Sequence, residues 1–214
     1  MIEMLPYIGK NLPQGFNIEK FLKRTFEFFL TDEIERLRST FFSVYRPENV
    51  FALNERAWVG VLNNAIIKAF PENSWTLQEF SIYNSENTHI GRADLLVLWE
   101  YNGLKYNLLF EAKHHGEATI KHLFDNTGPS FKNIKDQAMR YYEEEIKNYK
   151  YNTYIVPVGF EWIRKPVVLE KAKEYFKNTV NMEDISTDFC YLYHDNNNGM
   201  WVYGKFYLTD SEKK

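Results

Sequence analysis

Asp94, Glu111 and Lys113 have the types and spacing to do chemistry together. They lie at the outer ends of two apolar runs in GRADLLVLWEYNGLKYNLLFEAKHH, residues 91–115, which meet at Asn102-Gly103. Asn-Gly is a strong hairpin signal, because a type I′ turn needs positive φ at both central positions. Pairing Tyr101 with Leu104 across this turn sets Asp94 opposite Glu111, with Cβ atoms roughly 5 Å apart. The same register opposes Glu100 to Lys105, a favourable pair, and Arg92 to Lys113, a like-charge pair tolerable only beside acids or phosphate. It also lines Ala93, Leu95, Val97 and Trp99 against Ala112, Phe110, Leu108 and Tyr106 on the other face, a pattern that a one-residue slip would scramble.

Two opposed carboxylates repel, so one holds a proton or a cation lies between them. Oxygen ligands suit a hard divalent ion, Mg²⁺ or Mn²⁺. Lys113 follows Glu111 by two residues and shares its face of the strand. Such a set has the parts for metal-assisted phosphodiester hydrolysis. The ion polarises the phosphate and lowers the pKa of a bound water, while the ammonium orients that water. The plain alternative is a pair of solvated strand-end acids balanced by Lys113. His114, His115 and His122 invite a zinc reading, but neighbouring strand residues point to opposite faces, so polar lining of the site suits them better. Glu79 reads as a solvated strand residue, or as support for Asp94 if its strand lies beside it.

The elements that must position these residues follow from periodicity. Phe21, Leu22, Phe26, Phe29, Leu30, Ile34 and Leu37 have the spacing of an amphipathic helix, with a break near Thr31-Asp32. Asn54 is a helix N-cap, followed by a face of Trp58, Val61, Leu62, Ala65 and Ile66 that stops at Pro71. WTLQEFSIY alternates as a half-buried strand and leads into the hairpin. FKNIKDQAMRYYEEEIKNYK (131–150) is a helix, YNTYIVPVGFEWI a buried strand containing a proline, and VVLEKAKEYFKNTV a further helix. DFCYLYH and MWVYGKFYL form a C-terminal hairpin about DNNNG. Its aromatic residues, Tyr191, Tyr193, Trp201, Tyr203, Phe206 and Tyr207, suit core or a homodimer interface better than base stacking.

Composition bounds the function. With 44% apolar and 26% charged residues over 214 positions, the chain suits one globular domain with a sizeable core. The one cysteine, Cys190, excludes an internal disulfide and a cysteine-built zinc site. A net charge of −3 argues against a purely electrostatic nucleic-acid binder, while leaving room for a local basic groove. No glycine-rich phosphate loop or nucleophile elbow occurs. No window reaches the roughly 18 apolar residues of a membrane helix, and no signal peptide opens the sequence, so a cytoplasmic protein is expected.

Asp94 with Glu111-Ala112-Lys113 resembles the signature of the PD-(D/E)XK nuclease superfamily, an acid on one strand and Glu/Asp-x-Lys on the next. Ala93 stands where that signature has proline. Gln137-x-x-x-Tyr141, on the helix after these strands, resembles the QxxxY motif of the RecB-like branch, and its two residues share a helix face. The resemblance covers roughly residues 50 to 160. It implies a mixed α/β fold with a restriction-endonuclease-like core (51–165), in which helices flank a central mixed sheet. Residues 1–50 would be an N-terminal helical extension and 166–214 a helix plus C-terminal hairpin, all one domain. It further implies Mg²⁺- or Mn²⁺-dependent hydrolysis of DNA, with RNA as an alternative substrate. Asp94, Glu111 and the Ala112 carbonyl would be metal ligands, joined by Glu55, with Glu48 a weaker candidate for that place. Lys113 would position the attacking water, and Gln137 and Tyr141 would orient the site or the substrate. The alternative is an inactive member that binds nucleic acid or serves in assembly.

Overall fold

A computed structural model describes residues 3–8, 12, 17–37, 39, 53–117, 129–144, 151–179, 188–196 and 198–209. Helix α1 (Ile18–Phe28) starts at Asn17, whose side chain accepts the Lys20 N–H at 2.8 Å. Its apolar stripe buries Ile18, Phe21, Leu22 and Phe26. At the expected break the chain widens into a π-helical turn, Phe29–Ile34. That turn is pinned to helix α2 (Glu55–Ala69) by the buried Glu33, which takes Lys68 Nζ at 2.7 Å. Asn54 caps α2 as expected, accepting the Ala57 N–H at 3.0 Å. The cap fixes where α2 begins, and therefore where Glu55 stands.

The strands are β1 (Glu3–Ile8), β2 (Ser74–Tyr83), β3 (His89–Tyr101), β4 (Leu104–Glu117), β5 (Asn152–Ile163), β6 (Phe189–His194), β7 (Gly199–Gly204) and β8 (Tyr207–Leu208). They form one mixed sheet in the order β1-β6-β7-β5-β4-β3-β2, with β8 beside β5. Among the described strands only β4 and β5 pair in parallel. Parallel neighbours need a long crossover, and it carries helix α3 (Pro129–Glu144). Helix α4 (Pro166–Thr179) follows β5. Beyond Glu144 the expected helix lies outside the described residues, as do Glu48 and His122 and the side chains of His114 and His115.

Helices α1 and α2 cover one face of the sheet. Phe21, Phe26, Phe29 and Trp58 pack there against Leu95, Val97, Phe110, Phe160 and Tyr191. The Phe26 and Tyr191 rings stack 4.3 Å apart. On the other face α3 meets Leu96, Leu109 and Ile155, and α4 meets Cys190, Leu192 and Trp201. Being covered twice, β5 is buried from Thr153 to Ile163. Pro157 is tolerated in this central strand because its carbonyl faces Lys205, in the gap between β7 and β8. A ring nitrogen on that side deprives no ladder of a hydrogen bond.

One expectation changes. The N-terminal segment is not only helical: Glu3–Ile8 pairs antiparallel with Phe189–His194 at the sheet edge. The C-terminal hairpin continues the same sheet, and its Tyr191, Tyr193, Trp201, Tyr203 and Phe206 are core residues, one of the two places expected for them.

Candidate active site

Asn102 and Gly103 both have positive φ, +52° and +75°. Their turn sets the expected register, Tyr101 to Leu104, and the ladder runs to Leu95–Phe110. There it stops, one pair short of Asp94 and Glu111. The cause lies in β2. Glu79 adopts φ +49° inside the strand, and the β2–β3 ladder passes from Gln78–Leu95 to Phe80–Ala93 without pairing Glu79 to Asp94. Leu77 and Leu96 pack on the α3 face, and so do Phe80 and Ala93, three residues further along each strand. Both strands thus reverse faces together at Glu79 and Asp94, whereas a regular pleat would have kept odd and even apart. Ala93 therefore sits on the α3 face rather than with Leu95, and the β3–β4 ladder ends before it reaches Arg92 and Lys113.

The reversal lifts Asp94 out of the ladder. Its Oδ2 accepts the Ala112 N–H at 2.7 Å, crossing to the strand that carries Glu111. Burial pushes the Asp94 carboxyl up from its ordinary value, and the Ala112 N–H and the Lys113 charge offset part of that rise. Glu111 is only 1% exposed, on β4 beside Pro157 of β5. Burial first, and then the Asp94 charge, push its pKa up to about 8. A carboxylate so placed keeps its proton near neutral pH until a cation compensates it.

Helix α3 supplies the orientation. Gln137 Nε2 donates to Glu111 Oε1, and the same nitrogen lies 3.1 Å from Tyr141 Oη. Tyr141 lies over Gly91, where a Cβ would fall 2.4 Å from its hydroxyl. A lone glycine in a strand marks such an approach. Replacing Gly91 by alanine will displace Tyr141 and lower stability by about 1–3 kcal/mol, read from urea unfolding midpoints. An unchanged midpoint would mean that the ring moves aside freely.

With Oε1 engaged, Glu111 Oε2 is buried and has no hydrogen-bond partner. Lys113 reaches toward α2, its Nζ 3.5 Å from Glu55 Oε1. The structure thus brings together Asp94, Glu111, Lys113, Glu55, Gln137 and Tyr141, with Ala112 buried between them. Hard oxygen donors and an orphaned acceptor suit a divalent cation. Among the described residues, no three His, Cys, Asp or Glu side chains form an ion-holding cluster. The carboxylates in place are a pair, with Glu55 drawn to Lys113. The sequence reads Glu79 as solvated, or as support for Asp94 if its strand lies beside it, and offers no signal for Arg56. The structure joins them, with Arg56 Nε 3.1 Å from Glu79 Oε1.

No family model, curated protein or solved structure matches the chain. Among the described residues no helix is long and apolar enough to cross a membrane.

Proposed function

We propose that the protein is a divalent-metal-dependent nuclease that hydrolyses phosphodiester bonds of DNA on a restriction-endonuclease-like core. The observation that carries this is Glu111: buried, fixed through Oε1 by Gln137, and with its buried Oε2 lacking a hydrogen-bond partner beside a second carboxylate, Asp94. The run α2, β2, β3, β4, α3, β5, with acids on β3 and β4, supports the core assignment.

Asp94 and Glu111 would hold Mg²⁺ or Mn²⁺, with Glu55 and the Ala112 carbonyl as further protein donors. Mg²⁺ needs only one or two carboxylates, since waters and substrate phosphates complete its shell. Bound there, the ion polarises the phosphate and lowers the pKa of a coordinated water. The chain's own residues do the rest. Lys113, steadied by Glu55, orients the attacking water and meets the charge growing on the phosphate. Gln137 holds the Glu111 carboxylate in one rotamer, and Tyr141 backs Gln137.

A second reading, a non-cleaving module that binds nucleic acid or serves in assembly, is favoured by the lack of a three-carboxylate cluster among the described residues. The test is incubation of the protein with single-stranded, duplex and branched DNA, and with RNA, in Mg²⁺, Mn²⁺ or EDTA. Metal-dependent cleavage of DNA that EDTA stops is the expected result. Substrates left intact in both metals would discard the nuclease in favour of the module.

A further inference from the structure

Glu79 holds two guanidinium groups with one carboxylate: Arg56 at 3.1 Å and Arg92 at 3.5 Å. The glutamate is 33% exposed, while the arginine side chains are 77% and 58% exposed. Three elements contribute. Arg56 follows Glu55 in the first turn of α2, Arg92 precedes Asp94 by two residues on β3, and Glu79 is the β2 residue across from Asp94. Exposed ion pairs add little to stability. Stability is therefore a poor reason to hold a strand glutamate at φ +49°, a conformation disfavoured for any residue with a side chain. Backbone outliers of this kind collect at functional sites.

The arrangement answers an electrostatic problem. A phosphodiester chain approaching this centre meets Asp94, Glu111 and Glu55 on a protein of net charge −3. Guanidinium is the side-chain group best shaped for phosphate oxygens, with donors in a planar fork. Glu79 engages one nitrogen of each arginine, and their exposure leaves the groups open to solvent. We propose that Arg56 and Arg92, aligned by Glu79, grip the phosphodiester backbone of a nucleic acid on one flank of the Asp94–Glu111 centre. The proposal rests on the nuclease reading for the identity of the strand, and on the Arg56–Glu79–Arg92 geometry for the grip.

The experiment is fluorescence anisotropy with a labelled 20-nucleotide duplex DNA, its single strand and an RNA of the same sequence. EDTA keeps the strands intact, and the salt concentration is varied. Replacing both arginines by alanine should weaken binding about tenfold or more and lower the slope of log K against log salt by about two, one for each lost phosphate contact. Arg56→Lys with Arg92→Lys should restore the slope but only part of the affinity, because charge returns without the fork. It also serves if the alanine pair folds poorly. Affinity and slope unchanged in the alanine pair, or a parent that binds none of the three probes, would overturn the grip. Arginine-dependent binding without cleavage would remove the nuclease and keep the grip. Cleavage with arginine-independent binding would do the reverse. Preference among the probes assigns the strand.

Discussion

Replacing Lys113 by alanine will lower metal-dependent DNA cleavage by about 10²–10³-fold, the usual cost of losing one group that meets transition-state charge. The folded state will barely change, because Lys113 is partly exposed and its ion pair with Glu55 is 3.5 Å long. Such pairs contribute about 0–1 kcal/mol. The lysine charge also acts on Glu111, lowering a pKa that burial and Asp94 raise. Its loss lets Glu111 keep its proton to higher pH, so the residual activity of the variant should begin at higher pH than in the parent. A merely structural lysine would leave both the rate and the pH profile in place. Asp94→Ala should remove cleavage as completely, and its residual activity should begin at lower pH than in the parent, because the Asp94 charge that raises the Glu111 pKa is then missing. Parent-like rates in both variants would remove the proposed roles.

Much of this arrangement is legible in the sequence because it rests on local signals. Asn102-Gly103 states its turn type, and the turn sets the ladder from Tyr101–Leu104 to Leu95–Phe110. Asn54 states where α2 starts, and the four-residue spacing of Gln137 and Tyr141 puts them on one helix face. What is not legible depends on partners distant in the chain or on backbone states with no residue signature. Glu3–Ile8 is a strand only because β6 offers it an edge. Glu79 in a left-handed conformation has no compositional cue, since glutamate carries none of the preference for positive φ that glycine or asparagine does. The face reversal at Glu79 and Asp94 therefore stays hidden. Extending the hairpin register past Leu95 then pairs Arg92 with Lys113, where the β3–β4 ladder has already ended and the Arg92 guanidinium meets Glu79. The two acids still meet, because Asp94 crosses to the Ala112 N–H instead of remaining in the ladder. Pro157 is similar: it is tolerated in a central strand only because two different strands, β7 and β8, share that side of β5.

Without metal, Glu111 will cost the protein stability as pH rises from about 4.5 to about 8, and Glu111→Gln will remove that part of the loss. Glu111 has a pKa of about 8 in the folded chain against an ordinary 4.5. Below the lower value both folded and unfolded chains hold the proton, and the stability linked to it is fully present. Between the two values the unfolded chain releases the proton and the folded chain keeps it. Stability then falls by on the order of 1.4 kcal/mol per pH unit and levels off above pH 8. Glutamine keeps the shape and an acceptor for Gln137 but cannot ionise. Urea titrations from pH 4 to pH 9 should show the two proteins converging in acid and the variant more stable at pH 8. Parallel profiles would mean that Glu111 is not the titrating group. The same proton reports on the metal. Carboxylate ligands bind cations deprotonated, so Mn²⁺ should displace close to one proton per ion at pH 7 and almost none at pH 9. Calorimetry in two buffers of different ionisation enthalpy measures this directly. Mn²⁺ should also raise the melting temperature of the parent and not of Glu111→Gln. An equal rise in both would place the ion elsewhere on the protein and leave the orphaned Oε2 unexplained.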